Sequence, residues 1–76
     1  MVRAYVTVKA HTGDADTIRG AIAAVDGVER AHIVAGDIDL IAVVGVDSAA
    51  AVKDVAATHI QNIEGVADTH TYIAME

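Results

Sequence analysis

Seventy-six residues make one small domain, which buries only about 60% of the surface its unfolded chain exposes and needs some additional source of burial. Ala, Val and Ile supply 36 of the 41 apolar residues, Leu occurs once, and Phe, Trp and Cys are absent; disulfides, thiolate metal sites and Cys nucleophiles are excluded, and oligomerisation remains as the usual aid. Eleven Asp and Glu against two Lys and three Arg give a formal net charge of −6, so the surface repels phosphate backbones and direct nucleic-acid binding is not expected.

Val2 to Ala10 alternates, with Val2, Ala4, Val6 and Val8 on one face and Arg3, Tyr5, Thr7 and Lys9 on the other, which predicts a first strand. His11-Thr12-Gly13 breaks it. Asp14 is placed to cap a helix over roughly 14 to 25, in which Ile18, Ile22 and Val25 fall on one side and Gly27 follows the end. Val28 to Ala35 and Ile38 to Val46 predict two strands joined at a two-residue turn, Gly36-Asp37. Asp47 or Ser48 then caps a second helix that carries Val52, Val55, Ile60 and Ile63 and is stopped by Gly65; Val66 to Ala74 is the last strand. The longest apolar stretches fall far short of the 20 or so residues of a membrane span and no secretory signal is visible, so a cytoplasmic, membrane-free chain is expected. The excess of Asp over Lys points as readily to adaptation to high salt as to an ordinary acidic cytosolic protein.

The two halves are copies of one unit. Ile22, Val25, Asp26, Gly27, Val28 and His32 recur as Ile60, Ile63, Glu64, Gly65, Val66 and His70 at an offset of 38, and Ala4, Val6 and Val8 map onto Ala42, Val44 and Val46. Strand, helix, strand, repeated, predicts an α+β fold: a ferredoxin-like βαββαβ sandwich whose four-stranded antiparallel sheet has strands one and three in the centre. The right-handed crossover puts both helices on one face. The other face is left bare, carrying Tyr5 and Thr7 with Ile41 and Val43, and predicts a homodimer with sheets packed face to face, larger rings being possible.

Two polar clusters stand out. Ala35-Gly36-Asp37-Ile38-Asp39 reads first as a hairpin turn, but Asp39 opens the most hydrophobic strand, where a carboxylate is costly unless paired with a ligand ammonium or a donor from another subunit. Asp68-Thr69-His70-Thr71-Tyr72 reads first as an ordinary edge strand, and otherwise as a set of hydroxyls for a carboxylate. His11, His32, His59 and His70 lack the spacing of a compact metal site, so neither a metal nor a cofactor is expected. Ser48, the only Ser, is better explained as a helix cap than as a nucleophile, and the Gly residues form no phosphate-binding series.

Three stretches, His32-Ile33-Val34-Ala35-Gly36-Asp37-Ile38-Asp39-Leu40, Ile63-Glu64-Gly65-Val66 and Thr69-His70-Thr71-Tyr72-Ile73-Ala74-Met75-Glu76, resemble in order and spacing the effector-binding (RAM) domain of the Lrp/AsnC, or feast/famine, transcriptional regulators. Ile38 stands where that family usually has an aromatic residue, and Glu64 where it has Pro. The family's DNA-binding members carry an N-terminal helix-turn-helix; this chain begins at the first effector-domain strand, so residues 1 to 76 look like a single stand-alone RAM domain. The resemblance implies a dimer through the sheets, assembly to a tetramer or octamer, an amino-acid effector at subunit interfaces, and possible co-assembly with a full-length Lrp/AsnC regulator. It also implies roles: Gly36 and Asp37 offer turn amides, Asp39 holds the α-ammonium, Thr69 and Thr71 contact the carboxylate, and Ile33 and Tyr72 line the side-chain pocket. Competing expectations are an ACT-type amino-acid-binding module and a small dimeric α/β-barrel enzyme, the latter using His11, His59 or Tyr5.

Overall fold

The computed structural model describes residues 1–11 and 13–75; Thr12 of the predicted break and Glu76 of the third motif lie outside the described residues. The chain order is β1 (Val2–Ala10), α1 (Ala15–Ala23), β2 (Val28–Ile33), β3 (Leu40–Val46), α2 (Ala49–Lys53) running on as a π-helical segment (Asp54–Ile60), and β4 (Val66–Ile73). The sheet order is β2-β3-β1-β4, with every neighbouring pair antiparallel. This is the βαββαβ arrangement expected from the repeat, with β1 and β3 central.

Alternation decides which face is buried. Ala4, Val6 and Val8 of β1 and Leu40, Ala42 and Val44 of β3 are fully buried beneath Ile18 and Ile22 of α1 and Val52, Val55, Ala56 and Ile60 of the second helix. Both helices therefore lie on one face. Gly27 and Gly65, repeat equivalents, stand in the turns between each helix and the strand that follows, with φ of 96° and 97°, a backbone conformation that a Cβ disfavours. Ser48 accepts a hydrogen bond from the Ala51 N–H at 3.1 Å and is the cap of the second helix, rather than Asp47.

The structure departs from the sequence reading at two places. Residues 34–39 form a wider connection than the predicted two-residue turn: β2 stops at Ile33, β3 starts at Leu40, and the loop closes where Val34 N–H donates to the Asp39 carbonyl at 2.9 Å. The second helix is π-helical over its last seven residues, ending with Gln61 N–H donating to the Ala56 carbonyl five residues back at 3.1 Å. Its buried residues are Val52, Val55, Ala56 and Ile60, which form the stripe that rests on the sheet.

Candidate functional site

Antiparallel partners share a face, so register places each strand-borne site residue. Thr69, Thr71 and Ile73 pair with Val8, Val6 and Ala4 and project to the helix side of β4, while Asp68, His70 and Tyr72 pair with Lys9, Thr7 and Tyr5 and project to the open side. Strand β4 thus cannot offer Thr69, Thr71 and Tyr72 to one ligand within a single chain. Thr69 and Thr71, with Ile73, form one wall of a groove of about 290 Å³; Val52, Lys53, Ala56 and Ala57 of the second helix form the other. The Thr69 hydroxyl donates to Gln61 Oε1 at 2.9 Å, which fixes its rotamer at one end, and Lys53 supplies the groove's charge.

The repeat explains why a groove exists here. Ala56 occupies the position that Ile18 takes in the first copy, and both are buried, at 4% and 3% exposure. The larger Ile closes the first helix onto its strand, whereas Ala leaves space between the second helix and β4. Across that space Thr69 and Thr71 stand where the first copy has Ala31 and Ile33. Neither Lys53 nor Ala56 was among the residues singled out from sequence; aligning the halves at the offset of 38 is the signal that would have found Ala56.

The other candidates lie across the sheet. Ile33 pairs with Leu40 and so faces the helix side, on the far edge, and is 45% exposed. Gly36 and Asp37 are exposed in the connection that follows it, with Gly36 at φ 151°. Asp39 is half-buried, and its Oδ2 accepts the Ala10 N–H at 2.8 Å. That bond sits where the β1–β4 register shifts between Lys9 and Ala10, so the carboxylate supplies an acceptor to a backbone group that the bulge turns away from β4. The expected need of Asp39 for a partner is met, at one oxygen, inside the same chain. Ile33 and Thr69 stand at opposite ends of the row Ile33, Leu40, Val8, Thr69, three strand spacings or roughly 14 Å apart.

The open face is ordered by the same register. One row reads His32, Ile41, Thr7, His70 from edge to edge, and the next reads Arg30, Val43, Tyr5, Tyr72. Tyr5 and Tyr72 are 42% and 61% exposed. Arg3, Lys9 and Arg30, three of the chain's five cations, are on this side, Arg3 paired with Glu29 at 3.5 Å. The residues an enzyme reading would use are separated: Tyr5 is on the open face, and His59 is on the second helix beside Asp54, at 3.5 Å. No helix among the described residues is long and apolar enough to cross a membrane.

Fold and groove together define a small α+β sandwich with an open groove between its second helix and its edge strand β4. The sequence matches the family model described as the Lrp/AsnC ligand binding domain over residues 3–76, and the chain belongs to that family. Comparison with curated proteins gives no match. Among solved structures, it is similar to a protein from Thermus thermophilus, with 29% identity and a TM-score of 0.93 over 100% of this chain and 95% of that one. Escherichia coli AsnC superposes with a TM-score of 0.89 at 21% identity, over 99% of this chain and 51% of that one. A feast or famine regulatory protein from M. tuberculosis, complexed with L-methionine, superposes with a TM-score of 0.82 at 23% identity, over 100% of this chain and 51% of that one. At those identities the last two support the fold alone.

Proposed function

We propose that residues 1 to 76 form one effector-binding domain that is not itself an enzyme, binds an α-amino acid at the seam between two copies of the chain, and through that seam modulates a full-length Lrp/AsnC-type regulator. The supporting observation is the groove beside Thr69 and Thr71, which is walled on two sides and open along the unpaired outer edge of β4. Two open faces pack together as a homodimer, and a twofold axis along the strands, between β1 and β3, sets the β2 edge of one copy against the β4 edge of the other. In that arrangement the β2 edge of the second copy, which leads into its Gly36-Asp37 turn, runs alongside the open edge of the groove of the first. A volume of about 290 Å³ is near the lower bound of small-molecule pockets, about 300 Å³, and suits a ligand of amino-acid size once the partner edge closes it.

The chemistry divides accordingly. Thr71 and Lys53 are donors for a carboxylate, with Thr69 beside them as a hydroxyl already oriented by Gln61. Asp39, or the exposed Asp37, holds the ammonium from the partner's turn, and Gly36 lends backbone amides. Tyr72 belongs to the packed sheets rather than to the pocket. Higher assembly, to a tetramer or octamer, stacks such dimers without changing the seam. The relative complexed with L-methionine fits this reading.

Calorimetric titration with each of the twenty amino acids, alongside light scattering for mass, tests the proposal. At least one amino acid should bind to a dimer or multiple of it, and Ala57→Leu, which fills the groove from an exposed position, should remove that binding while leaving mass and thermal stability within about 0.5 kcal/mol of the parent. Failure of all twenty to bind rejects the amino-acid reading; a monomer rejects the seam.

A further inference from the structure

The four histidines are untouched by the effector reading, and two of them occupy a particular place. His32 and His70 are repeat equivalents, and cross-strand register puts them at the two ends of one row on the open face, His32, Ile41, Thr7, His70. The row is symmetric about the line between β1 and β3. The twofold that packs two open faces along that line therefore lays His32 of one copy opposite His70 of the other, and does so twice, once at each seam.

The geometry points to a proton switch: protonation of the facing His32 and His70 side chains loosens the sheet-to-sheet dimer. This rests on the face-to-face dimer proposed above. Imidazole is the side chain whose charge ordinarily changes between about pH 5 and 8. The charged and titratable neighbours on the open face are Arg30 on β2, two residues from His32; Arg3, Tyr5 and Lys9 on β1; and Asp68 and Tyr72 on β4, while β3 contributes only Ile41, Val43 and Gly45. Glu29 is engaged with Arg3 at 3.5 Å. Asp68 Oδ2 is 3.4 Å from His70 Nε2 and can balance one imidazolium. Among the described residues of the open face no further carboxylate is left for the second, which adds to Arg30 and Lys9. Two neutral imidazoles pack and hydrogen-bond across a seam; two imidazoliums repel in a site that packing has partly desolvated.

The prediction runs against the chain's overall charge. With all four histidines protonated the formal net charge falls from −6 to −2, so general repulsion between copies weakens in acid and association would tighten. The seam predicts the reverse.

Sedimentation equilibrium of the full chain in about 0.1 M salt, at about pH 7.5 and again at about pH 5.5, reads the dimer Kd directly. The expected result is a Kd raised at least tenfold, about one like-charge pair's worth, in acid, with the rise much reduced in about 1 M salt. His32→Gln with His70→Gln should dimerise at both pH values with little change, and circular dichroism checks that these exposed substitutions leave the fold intact; His11→Gln with His59→Gln should keep the full response. A dimer that holds or tightens in acid overturns the switch and leaves the dimer standing. Equal weakening in the His32/His70 double variant overturns the assignment to this pair. A monomer at the higher pH overturns the dimer and the switch together.

Discussion

The two βαβ copies share their strands and differ at the strand-to-helix passage. In the first copy β1 runs on to Ala10 through a bulge, and the helix starts only at Ala15; in the second, β3 stops at Val46 and helix begins at Ala49, the equivalent of His11. The cause is local. His11, Thr12 and Gly13 favour a break, whereas Ala49, Ala50 and Ala51 behind a Ser cap are strong helix formers. The earlier start, the π-helical continuation and the exchange of Ile18 for Ala56 accompany a groove between the second helix and β4, where Thr69 and Thr71 face that helix. One duplicated unit thus supplies a closed half that holds the fold and an open half that can hold a ligand.

The largest effect should come from the glycines in the turns between each helix and its next strand. Gly27 and Gly65 share φ near 96°, so Ala strains either one, and a Cβ on Gly27 would lie 2.9 Å from Val46 Cγ1 and 3.1 Å from Val55 Cγ2. Gly27→Ala should cost about 3 kcal/mol and lower Tm by about 10 to 20 °C. Thermal unfolding checks it; a loss of no more than about 1 kcal/mol would mean that Val46 and Val55 yield to the added methyl and that φ alone decides.

Asp39 comes next, because it ties the long β1 of the first copy to the start of the second. Asp39→Ala removes the acceptor of the Ala10 N–H and should cost about 2 kcal/mol, while Asp39→Asn keeps an acceptor and should cost about 1 kcal/mol or less. The Asn variant also separates structure from binding. If this carboxylate holds an effector's ammonium, calorimetry should show affinity falling at least about tenfold in a protein that remains folded; unchanged affinity would leave Asp39 a purely structural residue and pass the role to Asp37.

Much of this was legible in the sequence where a period carries the information. Alternation over Val2 to Val8 and Leu40 to Val46 assigned both faces of the central strands, and the offset of 38 gave topology, helix count and the mirrored histidines. The connection was not legible, because Val34, Ala35 and Ile38 are apolar and read as strand, while the Asp39 carboxylate that reaches the Ala10 N–H acts between segments 29 residues apart. The π-helical segment was equally hidden, since Ala-rich stretches favour α-helix and nothing in the local composition distinguishes the wider turn. The candidate pocket was half visible. Thr69 and Thr71 share a face, as their alternate spacing implies, but the opposite wall depends on Ala56 and Ala57, which carry no signal until the copies are laid over each other.

The smallest effect tests the origin of that opposite wall. Ser48 accepts the Ala51 N–H at 3.1 Å and so permits the second helix to begin four positions ahead of its counterpart in the repeat. Ser48→Ala should cost about 1 kcal/mol, the usual value of a lost cap. Its consequence should be confined in space: amide exchange should quicken at Ala51 and Val52 at the helix start, while Ile18 and Ile22 of α1 keep their protection. Because Ala49, Val52 and Lys53 line the groove, effector affinity should fall several-fold with the fraying even though no contacting side chain has changed. Exchange that quickens equally in both helices would mean that the copies unfold as one unit, and the early helix start would then be a consequence of the open groove rather than its cause.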